Sequence, residues 1–173
     1  MGLSPMPSDA PNQDAPDGVR SNQDARDASI SEGVATLVPH NRALGIRFVE
    51  AKGGSVTLAL PYDEKLVGDP ATRVLHGGAI TTLMDATCGI AVFVKLNEPI
   101  QIATLDLRID YLKPALPDQE VHARANCFKV TRNVAFVRCE TYHAQNPSDL
   151  VAVANGTFML FRSAGSEPKG GAP

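Results

Sequence analysis

The 173-residue chain has the length of about one domain, and its 43% hydrophobic and 20% charged residues are ordinary for a soluble globular protein. A formal net charge of -3 and a sequence pI of about 5.8 exclude a globally basic nucleic-acid binder. Cys88, Cys127 and Cys139 show no CxxC spacing, which argues against a disulfide framework or zinc finger and for packed thiols in a reducing cytoplasm.

Residues 1–29 are rich in Asp, Asn, Gln, Ser and Pro, and only Leu3 and Val19 add apolar side chains beyond Ala, Pro and Met. Such a segment buries too little surface to offset its ordering entropy, so a disordered tail is expected. It lacks the basic-then-apolar order of a signal peptide. Residues 164–173 form a similar Gly/Pro-rich tail, which leaves a folded unit over 30–163. Residues 30–39 read as a short helix capped by Ser29 or Ser31 and ended by Pro39. Two strands follow over 44–51 and 55–60, and Lys52-Gly53-Gly54 between them signals a hairpin. Val56, Leu58 and Leu60 share one face of the second strand, which Pro61 closes.

A polar loop over 62–75 leads to the main helix, expected over 78–95. Its surroundings, 77–94, form an apolar run with Asp85 as the sole charge. An Asp at the centre of a membrane span costs about 2.5–3.5 kcal/mol, so the run reads as a core helix covered on most sides. Asn97-Glu98-Pro99 stops it. Over 101–112, Ala103, Leu105, Leu107, Ile109 and Tyr111 alternate with Thr104, Asp106, Arg108 and Asp110, the period of a half-buried strand. Further strands are expected over 120–130, 134–144 and 150–161. The last is apolar on both parities and suits a central position. Short turns force antiparallel pairing, so the fold class is α+β: a curved antiparallel sheet wrapped around one long apolar helix. Self-association is the simplest cover for its edges.

The chemistry gathers at the start of that helix. His76-Gly77-Gly78 leaves N–H groups without intrahelical partners, a place for developing negative charge such as the oxygen of a thioester under attack. Asp85 is a carboxylate in an apolar helix, where burial is costly unless the group is paired or has a task; desolvation makes it a better base. Seven residues separate Gly78 from Asp85, about 10 Å of helical rise. That span is too long for one small group to touch both, and it points to a site shared between two copies.

His76-Gly77-Gly78, six intervening residues, then Asp85-Ala86 resembles the hot-dog fold thioesterases of the phenylacetate-pathway (PaaI-like) branch. The resemblance extends to Pro39-His40-Asn41-Arg42-Ala43-Leu44-Gly45 and to the strand from Thr104 to Tyr111. It implies hydrolysis of a small aryl or medium-chain acyl-CoA, with Asp85 as base or nucleophile and Gly77 as the N–H donor. His76 would shape the turn or aid the thioester, and Thr104 matches a family Ser or Thr that positions water. Gly78 would support the carbonyl site, and Lys129 and Arg132, with Arg138 nearby, would lie near the phosphates of coenzyme A. No metal or redox cofactor is implied, coenzyme A entering as part of the substrate. The partner would be a second copy, as homodimer or dimer of dimers, with neither nucleic acid nor membrane. The chain departs from the family at Pro70, where many members carry Asn, and Asp69 is the candidate to take that space. A dehydratase or hydratase would need a His paired with an acid at a differently built helix entry. A non-catalytic acyl-CoA-binding module would bind without turnover. His122 and His143 read as surface or structural residues, and neither Cys88 nor Cys127 has a base partner.

Overall fold

The structure, a computed structural model, describes residues 22–29, 33, 37–52, 54–98 and 100–162. Residues 22–29, assigned by composition to the tail, are helical. Gln23 Nε2 donates to Asp27 at 2.8 Å one turn on, and Ala28 packs on the core. Asp27 is buried, and burial pushes its carboxyl up. The rest of both expected tails, 1–21 and 164–173, and most of the expected helix over 30–39, Ser31 included, lie outside the described residues.

Of the expected helix, Gly33 and Leu37 are helical and Val38 is not, and Pro39 also opens a helix of its own, α1 (Pro39–Leu44), at its first position. There its fixed φ suits the turn, and the N–H it lacks would have had no partner. Gly45 closes α1 at φ 74°, donating its N–H to Arg42; this left-handed conformation favours glycine. Helix thus displaces the first part of the expected strand, and β1 spans Arg47–Lys52. β2 (Ser55–Leu60) pairs with it antiparallel across the expected hairpin. Inside the expected loop, a 3-10 turn at Glu64–Leu66 precedes two short paired strands, β3 (Val67–Asp69) and β4 (Val74–Leu75).

The core helix α2 (Gly77–Leu96) ends at Asn97, φ 53°. Four strands follow: β5 (Gln101–Tyr111), β6 (Val121–Val130), β7 (Val134–His143) and β8 (Ala152–Phe161). The six long strands form one antiparallel sheet in the order β1-β2-β6-β7-β8-β5. β8 therefore lies one strand in from the edge, and β5 is the edge. Beneath the helix the inward positions are small: Ala123 and Ala125 on β6, Ala135 on β7, Ala152 and Ala154 on β8, all buried. Small residues let α2 sit close on the sheet, and Ile80, Leu83 and Met84 fill the gap against Leu58 and Leu60. Each such side chain contributes about 1.5–3 kcal/mol of hydrophobic stabilisation. α2, apolar and long enough to cross a membrane by composition, is instead the buried core helix.

The helix packs chiefly on β6, β2 and β7 and more lightly on β5 and β8, which leaves a trough along its β5 side. β5 also breaks the simple alternation expected of it. Thr104 pairs with Phe158 and Asp106 with Thr157, so Leu105 is an extra, bulged residue. On β8 the inward positions are Ala154, Phe158 and Leu160, all buried. Their partners are Ile109, Thr104 and Ile102, so the inward parity is even before the bulge and odd after it. Leu105 itself is 54% exposed.

Candidate active site

Asp85 lies midway along α2, half-buried, at the trough beside β5. The bulge turns Thr104 toward it, and Thr104 Oγ1 donates to Asp85 Oδ1 at 2.8 Å. The other carboxylate oxygen takes no side-chain hydrogen bond among the described residues, which leaves a base or nucleophile oriented by a hydroxyl. The trough encloses about 340 Å³. His40, Asn41 and Thr82 stand at one side of it, while Ala86, Gly89 and Phe93 continue it along the helix.

At the helix start His76 is the N-cap residue, and its Nδ1 accepts the Gly78 N–H at 2.9 Å. A neutral ring that accepts at Nδ1 carries its proton on Nε2. The His76 N–H donates to Leu66 O at 2.8 Å and its carbonyl accepts from Ala79 at 2.9 Å, so the turn is tied on both sides. Gly68, on β3, permits this: a Cβ there would stand 2.8 Å from His76 Cα. Gly78 N–H is thus occupied by the His76 ring, whereas Gly77 N–H takes no acceptor among the described residues. The Gly77 carbonyl accepts from Tyr111 Oη at 2.8 Å and from Thr81 Oγ1 at 3.1 Å, and the two hydroxyls are 2.7 Å apart. Thr82 Oγ1 likewise donates to Gly78 O at 3.0 Å. A second groove of about 340 Å³ runs by His76 and Gly78 and shares His40 and Thr82 with the Asp85 trough. Glycine turn and carboxylate therefore open on one continuous surface, two helical turns apart.

Not every candidate comes to this surface. Asp69 serves its own turn, accepting from Ala71 N at 3.0 Å and Thr72 Oγ1 at 2.7 Å. The Thr72 hydroxyl and then the Ala71 N–H hold its carboxyl below the usual range. It does not line the Asp85 trough, so Pro70 is not compensated there by Asp69. Lys129 and Arg132 are exposed near the β6–β7 turn, at the far end of α2, where Arg162 joins Arg132 O to Glu98. His143 is structural: its ring takes the Leu116 N–H at Nε2 (3.0 Å) and meets Glu120 O at Nδ1 (2.9 Å). His122 pairs with Glu120 at 2.6 Å. All three cysteines are buried and free; burial pushes Cys127 up to about 11, and the Cys88 contact, then burial, raises Cys139.

Sequence reasoning assigned no role to His40, Thr82 or Tyr111. Thr82 was accessible to it, since positions 78, 82 and 85 share one helix face. Tyr111 was not, because its partner lies 34 residues away.

One long helix held in the curve of a six-stranded antiparallel sheet, with an acid on that helix, is the hot-dog architecture expected of the sequence. The model of the thioesterase superfamily matches residues 73–148. A Halobacterium salinarum protein named "Putative esterase VNG_1336C" is 34% identical over 126 residues, 69% of this chain and 82% of that protein. The Escherichia coli K12 protein named "Medium/long-chain acyl-CoA thioesterase YigI" is 27% identical over 144 residues, 76% of this chain and 91% of that one. Among solved structures, a Pseudomonas aeruginosa protein is 40% identical with a TM-score of 0.70, covering 77% of this chain and 98% of that one. The chain belongs to the thioesterase superfamily and is a thioester hydrolase. PaaI of the phenylacetic acid operon in E. coli, at 16% identity and a TM-score of 0.66 over 79% of this chain and 96% of that one, shares the fold.

Proposed function

We propose that the protein is an acyl-CoA thioesterase in which Asp85 carries out the attack and the Gly77 N–H of a second copy stabilises the developing oxyanion. The observation that carries this reading is the Thr104 hydroxyl on Asp85 at 2.8 Å, at the mouth of an apolar trough. With Oδ1 so engaged, the carboxylate presents its other oxygen to a water or to the thioester carbon. As base, Asp85 takes a proton from water, and the resulting hydroxide adds to the carbonyl carbon. As nucleophile, it forms a mixed anhydride that water then opens. In both routes the tetrahedral oxyanion is held by an N–H donor, and it collapses by expelling coenzyme A as its thiolate, a far better leaving group than an alkoxide. Oxygen-18 from water appearing in the carboxylate of Asp85 after a single turnover would mark the nucleophilic route.

The separation of Gly77 from Asp85 along one helix supports a homodimer or dimer of dimers, in which each helix start faces the other copy's acid. Lys129 and Arg132 are the candidates for the phosphates of coenzyme A. The likeness to the medium/long-chain enzyme and the apolar trough favour a medium-chain acyl group over an aryl one, and so a place outside the PaaI-like branch. The reduced, buried thiols suit a cytoplasmic protein. The test is thiol release from a panel of acyl-CoA esters by wild type and Asp85→Asn. A fall of about 10²–10⁴-fold, the usual worth of a lost acid–base group, is expected with the fold intact. Undiminished hydrolysis by folded Asp85→Asn would refute the assignment.

A further inference from the structure

A glycine inside a helix weakens it relative to alanine, because the unfolded chain loses more freedom there. Gly89, in the middle of α2, therefore calls for a reason, and the fold supplies none. It is not among the positive-φ residues. A Cβ built on it would meet Ile102 Cδ1 at 3.7 Å and Phe158 Cε1 at 3.9 Å, ordinary van der Waals contact. Gly68 and Gly156 differ, since a Cβ there would stand 2.8 Å from His76 Cα and 3.2 Å from Leu107 Cδ1. The fold would accept alanine at 89.

What the missing side chain leaves is space in the trough that holds Asp85. Gly89 lies one turn beyond Asp85 on the same helix face, and Phe93 one turn further, so about 12 Å of helix separates the carboxylate from Phe93. Along this stretch the trough is walled by Ile102 and Phe158 and floored by Ala86, Gly89 and Ile90, all apolar; the polar residues lie at Asp85, Thr104 and the opposite, His40 side. A channel of this shape suits a straight aliphatic chain better than a single ring or a hydroxylated group. We infer that the acyl chain of the substrate runs from Asp85 toward Phe93 and that the bare Cα of Gly89 sets the chain length the enzyme accepts. The inference rests on the thioesterase reading above and adds the specificity-determining residue.

The experiment uses the full chain as wild type, Gly89→Ala and Gly89→Leu, with butanoyl-, octanoyl- and dodecanoyl-CoA. Wild-type kcat/KM should climb with length, by up to about fourfold for each methylene buried. Gly89→Leu should lower kcat/KM far more for octanoyl- and dodecanoyl-CoA than for butanoyl-CoA, so that most of the gain with length is lost. Gly89→Ala, which fits the space, should fall between the two and covers the case in which leucine prevents folding. Calorimetric binding of the matching non-hydrolysable thioether analogues should show the same length dependence. Those analogues keep the two readings distinct: absent turnover with length-dependent binding sinks the hydrolase, not the channel. Equal losses at every length, or a wild type indifferent to length, would overturn the role of Gly89. So would a change of association state in Gly89→Ala by sedimentation, because the glycine would then serve close approach between copies.

Discussion

Thr104→Val isolates the contact on which the active-site assignment depends. The substitution removes the hydroxyl that reaches Asp85 Oδ1 at 2.8 Å and keeps a β-branched side chain of similar shape, which an edge strand accepts readily. A hydrogen bond to a charged group contributes roughly 1.5–3 kcal/mol. Thr104 is exposed and Asp85 half-buried, so solvent places the loss near the lower end, about 1.5–2 kcal/mol. At 1.36 kcal/mol per tenfold, kcat/KM should drop roughly 10- to 30-fold, with stability falling by no more than about 2 kcal/mol, the worth of the same bond in the folded state. Thr104→Ser, which retains the donor, should stay within a few-fold of wild type. Thiol-release kinetics on each variant, with thermal melts as the folding control, measure both quantities. A double-mutant cycle completes the test: in an Asp85→Ala background the valine should cost nothing further, because its partner is gone. A full penalty persisting in that background would show that Thr104 acts independently of Asp85 and would refute the reasoning.

Tyr111→Phe deletes the hydroxyl that holds the Gly77 carbonyl and meets Thr81. At about 0.5–1.5 kcal/mol for such a bond, kcat should fall roughly 2- to 12-fold with KM nearly constant; a rise confined to KM would mean that Tyr111 binds substrate instead of positioning the turn. Gly68→Ala forces a Cβ to 2.8 Å from the His76 backbone, so denaturant titration should register a loss of about 1–3 kcal/mol, as for other overpacked sites. An unchanged midpoint would mean that the β3–β4 turn shifts freely. All three cysteines are buried, and burial holds Cys127 near 11. A thiol reagent at pH 8 should leave the native protein unlabelled and modify all three in guanidinium, and fast labelling of the native protein would contradict this packing.

Local pattern carried a large part of this protein. The apolar run around Asp85 and the stop at Asn97 placed the core helix within one residue of its observed ends. The alternation in Ser55–Leu60 put Val56, Leu58 and Leu60 on the core face where the structure has them. His76-Gly77-Gly78 announced a helix start with spare N–H groups, because capping depends on residues two or three apart. Other features answered to neighbours far along the chain. Pro39 reads from the sequence as a helix stop, and the helix that it also opens, over Pro39–Leu44, was not expected from local pattern. Asp69 stood next to Pro70, the position where the family carries Asn, yet its carboxylate closed on the nearer Ala71 N–H and Thr72 hydroxyl. Strict alternation set Thr104 on the opposite parity from Leu107 and Ile109, whereas the bulge at Leu105 turns all three inward. A bulge depends on which residues of β8 lie opposite β5, 54 residues apart at Thr104–Phe158. The chain by itself thus determined the helix, the hairpin and the acid; strand register, a tertiary property, decided that a hydroxyl would meet that acid.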